Sequence, residues 1–209
     1  MNKQITFREY RASDRESLAS VIRMTWNHDA FCTPKTARLL SIAYLDICLA
    51  NQTYTQVALH KGVPVGIIMA NCRSKGKRPV KFKIRALISA FRLLLSKEGR
   101  QVGKTFKDIN KIDEELLAGC KKNYAGELSF FAISAEYRGE GIGKELFKRA
   151  VEHLNKYSVD SFFLYTDTSC NYGFYEKQDM KRCGEKKISL NINGKKDDLT
   201  FFIYEKQLI

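Results

Sequence analysis

The sequence predicts an α/β fold: a single mixed, mostly antiparallel central sheet with flanking helices and a helical insertion between the third and fourth strands. Three observations carry that expectation. Runs with strand-like and helix-like periodicity alternate along the chain. Phe130-Phe131-Ala132-Ile133 is apolar on both faces, as a central strand covered from two sides must be. Two pairs of strand-like runs are joined by short turn signals, Lys61-Gly62 and the Asn193-Gly194 region, and read as hairpins. The chain has 209 residues, and at that size one domain over 1–209 buries a sufficient core, with 71–124 as a basic helical insertion within it.

The elements follow in order. A first strand covers about 3–10, and Ser13-Asp14 then caps a helix marked by Leu18, Val21, Ile22 and Trp26. Thr33-Pro34 opens a second helix, because proline at the first helical position gives up an N–H that has no partner anyway. That helix runs to about Ala50 with Leu39, Leu40, Tyr44, Ile47 and Cys48 on one side. Residues 53–60 and 63–70 form a hairpin. In the insertion Ile84, Leu87, Ile88, Phe91, Leu94 and Leu95 recur every three or four residues, and a second helical pattern follows around 106–120. A strand over 127–134 leads through a glycine-rich turn to a helix striped by Ile142, Leu146, Phe147, Ala150, Val151 and Leu154. Strand 161–166, a short helix at 171–178 and a hairpin of 186–192 with 199–204 complete the chain.

Composition excludes several classes. With 44% hydrophobic and 28% charged residues the chain reads as an ordinary globular protein. The longest apolar runs, such as Val65–Ala70, fall far short of the ~18 residues of a membrane span. A polar start without a signal-peptide pattern makes a cytoplasmic location the expectation. The six cysteines contain no C-x-x-C pair and the three histidines lie far apart, so neither disulfides nor a metal site is expected.

The net charge of +13 is concentrated in one segment. Thirteen Lys and Arg residues lie between Arg73 and Lys111 against two acidic residues, Glu98 and Asp108. Three readings of the helix in this segment stay open. The first is a helix packed on its own domain through its apolar face, with basic residues outward. The second is a surface for an anionic ligand or acidic partner. The third is a membrane-surface helix, since Lys and Arg opposite Leu and Phe also fit that pattern. Within the segment, Gly99-Arg100-Gln101-Val102-Gly103-Lys104-Thr105 imitates a phosphate-binding P-loop but has three residues between its glycines where four are needed.

The motif that carries chemistry is Arg138-Gly139-Glu140-Gly141-Ile142-Gly143-Lys144, between the central strand and a helix. Alternating glycines let successive N–H groups converge, and the helix start adds unpaired N–H groups and the positive end of its dipole. Such a turn suits a phosphate or pyrophosphate.

These residues resemble the GCN5-related N-acetyltransferase (GNAT) family. Its Arg/Gln-x-x-Gly-x-Gly/Ala signature is matched by Arg138, Gly141 and Gly143, and Asn171-Tyr172-Gly173-Phe174-Tyr175-Glu176-Lys177 resembles its second motif. The chain departs from the family in having Asp179-Met180 where Gly-Phe usually ends that motif, and in its basic insertion. The resemblance implies acetyl-CoA as acyl donor, in a cleft between strands 127–134 and 161–166. It places the pyrophosphate on the backbone of Arg138, Gly139, Glu140, Gly141, Ile142, Gly143 and Lys144. It places the pantetheine arm beside Phe131, Ala132 and Ile133, with Asn171 as a polar contact. It implies Tyr175 as the acid that protonates the departing thiolate and Glu127 as the base for the amine. Cys170 lacks a paired histidine and reads as structural.

The function that follows is an acyltransferase that moves an acetyl group from acetyl-CoA to a primary amine of a small molecule or peptide by direct attack, with no metal. The alternatives are a CoA-binding or sensing module with weak turnover, and a binder of anionic surfaces, membrane or nucleic acid, through the insertion. Neither nucleic acid nor membrane is the expected partner, and a homodimer stays open. The charge of the insertion, next to Glu127 in sequence, favours an acidic peptide, acidic protein surface or phosphate-bearing amine over a polyamine.

Overall fold

The strands are β1 (Ile5–Arg8), β2 (Tyr54–His60), β3 (Val63–Cys72), β4 (Gly126–Ile133), β5 (Ser161–Asp167), β6 (Lys181–Ile192) and β7 (Lys195–Gln207). The helices are α1 (Arg15–Thr25), α2 (Pro34–Ala50), α3 (Val80–Leu94), α4 (Lys97–Gly119), α5 (Ile142–Lys156) and the single turn α6 (Gly173–Glu176). The computed structural model describes residues 4–74, 80–192 and 195–208, so the expected Asn193-Gly194 turn lies outside the described residues. The strands form one sheet in the order β1-β2-β3-β4-β5-β7-β6, and each pairing is antiparallel except β4 with β5. This is the mixed, mostly antiparallel α/β sheet the sequence predicts.

Each face of the sheet carries a core. α5 covers one with Leu146, Phe147, Ala150 and Leu154 against Ile68, Ala70, Leu128, Phe162 and Leu164. α1 and α2 cover the other with Leu18, Ile22, Leu45 and Leu49 against Val57, Ile67, Met69 and Phe130. α4 extends that second layer over β5 and β7, with Ile112 and Leu116 on Phe163, Phe201 and Ile203. β6 has a partner on one side only, which explains its length: Lys181–Lys187 is too polar to read as a strand, but an edge strand needs no apolar alternation.

The insertion differs most from expectation. α4 begins at Lys97 rather than near 106, and Ser96 caps it by accepting the Gly99 N–H at 2.9 Å. Gly99 is required at this corner, because a Cβ there would lie 1.9 Å from the Leu93 carbonyl oxygen. The glycines of the false P-loop therefore sit inside a helix.

α3 packs on α2 through the face opposite its apolar stripe, which decides against the first of the three readings. Ala86, Ser89 and Leu93 are buried, while Val80, Ile84, Leu87, Ile88, Phe91 and Leu94 are exposed. The physical reason is a buried polar joint. Asp46 of α2 is 1% exposed; it accepts the Ser89 hydroxyl at 2.6 Å and the Arg15 guanidinium. Ser89 must face α2 to satisfy that carboxylate, so the apolar stripe faces away.

Candidate functional site

β4 and β5 pair only at their starts, Gly126 with Phe162 and Glu127 with Phe163. Beyond Glu127 the two parallel strands diverge, while β4 remains paired with β3 as far as Ile133. A cleft therefore opens along Leu128–Ile133 and widens toward the C-terminal end of β4. A bulge accompanies it: between the Met69–Phe130 and Asn71–Glu127 pairs, β4 advances three residues while β3 advances two. The extra residue moves Leu128 to the α5 face and leaves both Glu127 and Phe130 toward α1, α2 and α4.

At the wide end lies the glycine turn. After a 3-10 turn at Ala135–Tyr137, Gly139 and Gly141 adopt φ of +81° and +80°, the left-handed region that glycine enters without strain. No atom lies within 4 Å of where a Cβ on either would stand, so the backbone is open to a ligand. The α5 ladder starts with the Glu145 N–H donating to the Gly141 carbonyl at 3.1 Å, which leaves the preceding N–H groups of the turn without an intrahelical acceptor. Ile142 is buried in the core and fixes the helix start, and Arg138 folds back to donate to the Ile133 carbonyl at 3.3 Å. Lys144 and Glu140 are exposed beside the turn. An open, positively poled backbone cradle at the mouth of a cleft fits a pyrophosphate.

The sequence model described as the acetyltransferase (GNAT) family matches residues 22–180. The chain belongs to this family. Among solved structures the fold is similar to an N-acetyltransferase from Staphylococcus aureus Mu50, with 13% identity, 99% of each chain covered and a TM-score of 0.56. It is similar to yncA of Salmonella typhimurium, solved with its cofactor acetyl-CoA, with 12% identity over 98% of this chain and 94% of that one and a TM-score of 0.55. The PaiA N-acetyltransferase of Thermoplasma acidophilum, in complex with coenzyme A, shares 16% identity over 98% and 99%, with a TM-score of 0.51. No curated protein matches the sequence. As a GNAT acetyltransferase the chain is an acetyl-CoA-dependent N-acetyltransferase by family, and its acceptor is unknown.

In this GNAT chain the residues expected to act together fall into two groups. Phe131, Ala132 and Ile133 end β4 beside the glycine turn. α6 joins them through Phe174, whose ring lies 5.6 Å from that of Phe131 and 5.7 Å from that of Phe147. Gly143 backs onto Ile133 and Phe174. Tyr175 packs between Phe174 and Tyr204, and burial raises its phenol above the usual value, with Cys170 adding to the effect. Arg182 clamps this short helix: it donates to Glu176 at 2.8 Å and to the Tyr204 hydroxyl, and stacks 4.1 Å from the Phe202 ring. Asn171 is exposed just before α6. The Cys170 thiol is raised by burial and by Asp167, the opposite of an activated nucleophile.

Glu127 belongs to the second group, at the narrow end, across the sheet from α5. There the structure adds a residue that was not foreseen, Asp113 of α4. Burial, then Asp167 of β5, then Glu127 raise its carboxyl to about 7. Among the described residues its Oδ1 finds no hydrogen-bond partner. Asp113 acts on both Tyr44 and Tyr165, with Asp167 adding at the first and Glu127 at the second, and the Tyr44 ring packs with Phe106 and Phe130. A faint signal was present in the sequence. Asp113 stands four residues from both Ile109 and Leu117 and beside Ile112, a carboxylate on the apolar stripe of its helix. Asp113, Asp167 and Glu127 thus bring three carboxyl groups together within the span that adjoins the basic insertion. Among the described residues, no group of three or more His, Cys, Asp or Glu side chains is placed to hold a metal ion.

Proposed function

We propose that the protein transfers the acetyl group of acetyl-CoA to the primary amine of a cationic acceptor. The observation that supports the reading best is the divergence of β4 from β5 after Glu127, which opens a cleft ending in the Gly139–Gly143 cradle. The backbone N–H groups from Gly139 to Lys144 would hold the pyrophosphate, while Phe131, Ala132, Ile133 and Asn171 would flank the pantetheine arm. Bound there, acetyl-CoA supplies an activated thioester.

Glu127 and Asp113 are the groups suited to take a proton from the incoming ammonium. A carboxylate near 7 is matched to that task at neutral pH. The freed amine nitrogen forms a bond to the acetyl carbon as the carbon–sulfur bond breaks, and the second proton it sheds on becoming an amide restores, through water, the one the thiolate takes up. Tyr175, kept protonated by burial, is suited to give its proton to the departing thiolate. The carboxylates of Glu127, Asp113 and Asp167, ringed by Tyr44, Phe106, Phe130 and Tyr165, favour a positively charged acceptor with apolar substance. The test is a thiol-release assay with a panel of amines. Turnover of polyamines and arylalkylamines above that of acidic peptides is the expected result; the reverse order overturns the acceptor class, and no turnover with any amine favours a CoA-binding module instead.

A further inference from the structure

α3 is an unusual surface helix, because it is amphipathic twice over. On a projection at about 100° per residue, Phe82, Ala86, Ser89 and Leu93 form the face held against α2. Opposite them Leu94, Leu87, Val80, Phe91, Ile84 and Ile88 follow one another across an arc of about 120°. Their exposures run from 43% at Leu94 to 71% at Leu87, and Leu95, just past the helix, is 65% exposed. A soluble monomer rarely leaves so continuous an apolar strip in water.

The edges of the strip identify what would cover it. Lys81 and Arg92 are exposed along one edge and Lys83 along the other. Arg100 donates to the Leu94 and Leu95 carbonyls at 3.0 and 3.3 Å, which sets a further cation at its C-terminal end. From Val80 to Arg100 the single acidic residue is Glu98, and its carboxylate is taken by the Thr33 N–H and hydroxyl. An apolar strip bordered by cations on both sides is complementary to a surface that is anionic outside and apolar beneath. A second copy of this chain is a poor match, because it brings the same basic borders to the same place.

We infer that α3 docks the enzyme in the plane of an anionic lipid surface, with Leu87 and Phe91 sinking between headgroups while Lys81, Lys83, Arg92 and Arg100 reach the phosphates. The helix is roughly 22 Å long and lies on the surface rather than crossing it; among the described residues no helix is long and apolar enough to span a membrane. Since α3 packs on α2 through the other face, docking needs no unfolding and no change at the cleft. The inference stands apart from the reaction: it rests on α3 alone and holds whatever the acceptor is.

The experiment is co-sedimentation of the full chain with vesicles of phosphatidylglycerol mixed with phosphatidylcholine, and with phosphatidylcholine alone. The wild type is expected to partition onto the anionic vesicles at least about tenfold more than onto the neutral ones, and less at high salt. Leu87→Asp combined with Phe91→Asp should lower that partitioning about tenfold or more, with an unchanged melting temperature because both side chains are already in water. Lys81→Glu with Arg92→Glu should remove the preference for anionic lipid. Failure of the wild type to bind anionic vesicles overturns the inference, as does equal binding by the double aspartate variant. A wild-type dimer in sedimentation velocity that the aspartate variant dissociates also overturns it, and would assign the strip to a second copy.

Discussion

Burial holds the Tyr175 phenol protonated through the whole neutral range, so its value as a proton donor does not depend on pH there. Tyr175→Phe should therefore lower kcat by roughly 10²–10⁴-fold while leaving the KM for acetyl-CoA little changed; steady-state kinetics with chemistry rate-limiting checks this, and an unchanged kcat removes Tyr175 from the reaction. The two carboxyl groups proposed to serve the acceptor behave differently. For Glu127→Gln the loss should shrink at high pH, where more of the amine is neutral without help. Asp113 also marks stability. Its folded value near 7 lies above the ordinary 3.8, so the native state holds a proton that the unfolded chain has released. Stability is then fullest below pH 4 on this account and is lost as pH rises through 7. Asp113→Asn should be more stable than wild type by on the order of 2 kcal/mol at pH 8 and by little at pH 4, as urea unfolding at the two pH values would show. His28 has the opposite sign. Buried with Nδ1 2.7 Å from the Ser41 hydroxyl, it is held down to about 4, so it favours the native state above 6.5 and loses that contribution as pH falls toward 4.

At the scale of elements, what was legible in the sequence is what local chemistry controls. Thr33-Pro34, the both-faces-apolar run 130–133 and the stripe Ile142–Leu154 became α2, β4 and α5 within a residue or two of expectation. The turn Arg138–Lys144 was legible because its glycines serve a backbone geometry, φ near +80°, that few other residues reach. The sequence left the packing of α3 open for a physical reason. Periodicity identifies an apolar face but not what lies against it, and here a pair of distant polar residues, Asp46 and Ser89, decided the packing. Asp46→Ala should test that directly. Removing the carboxylate leaves Arg15 and Ser89 without the acceptor they share, and a loss of about 3 kcal/mol in urea unfolding is expected, together with faster hydrogen exchange in α3. An α3 as protected as in the wild type would mean that Ala86 and Leu93 alone hold it. Asp113 escaped the sequence for a similar reason, since Glu127 and Asp167 lie 14 and 54 residues away and only the fold gathers them.

For the whole molecule, the two charged features point in opposite directions, and the topology separates them. The excess positive charge belongs to the insertion, and along α3 it borders the outward face of that helix. The carboxyl groups of Asp113, Glu127 and Asp167 gather between α4 and the sheet at the narrow end of the β4–β5 cleft. Long-range steering by the net +13 would favour anions, whereas the acceptor proposed above is a cation, so its KM should fall or stay level as salt rises from low to physiological. A steep rise in that KM with salt would mean that fully exposed carboxylates, not these half-buried ones, bind the acceptor. The claim beneath all of these is that the cradle between β4 and α5 holds acetyl-CoA, and calorimetric titration of acetyl-CoA into the wild type and Gly141→Asp tests it most directly. The substitution meets no neighbouring atom and strains the backbone by about 1–2 kcal/mol, so the fold should survive while a carboxylate stands where the pyrophosphate is expected. The wild type should bind and the variant should bind roughly a hundredfold more weakly; equal binding by the two, or no binding by the wild type, would contradict the cofactor assignment.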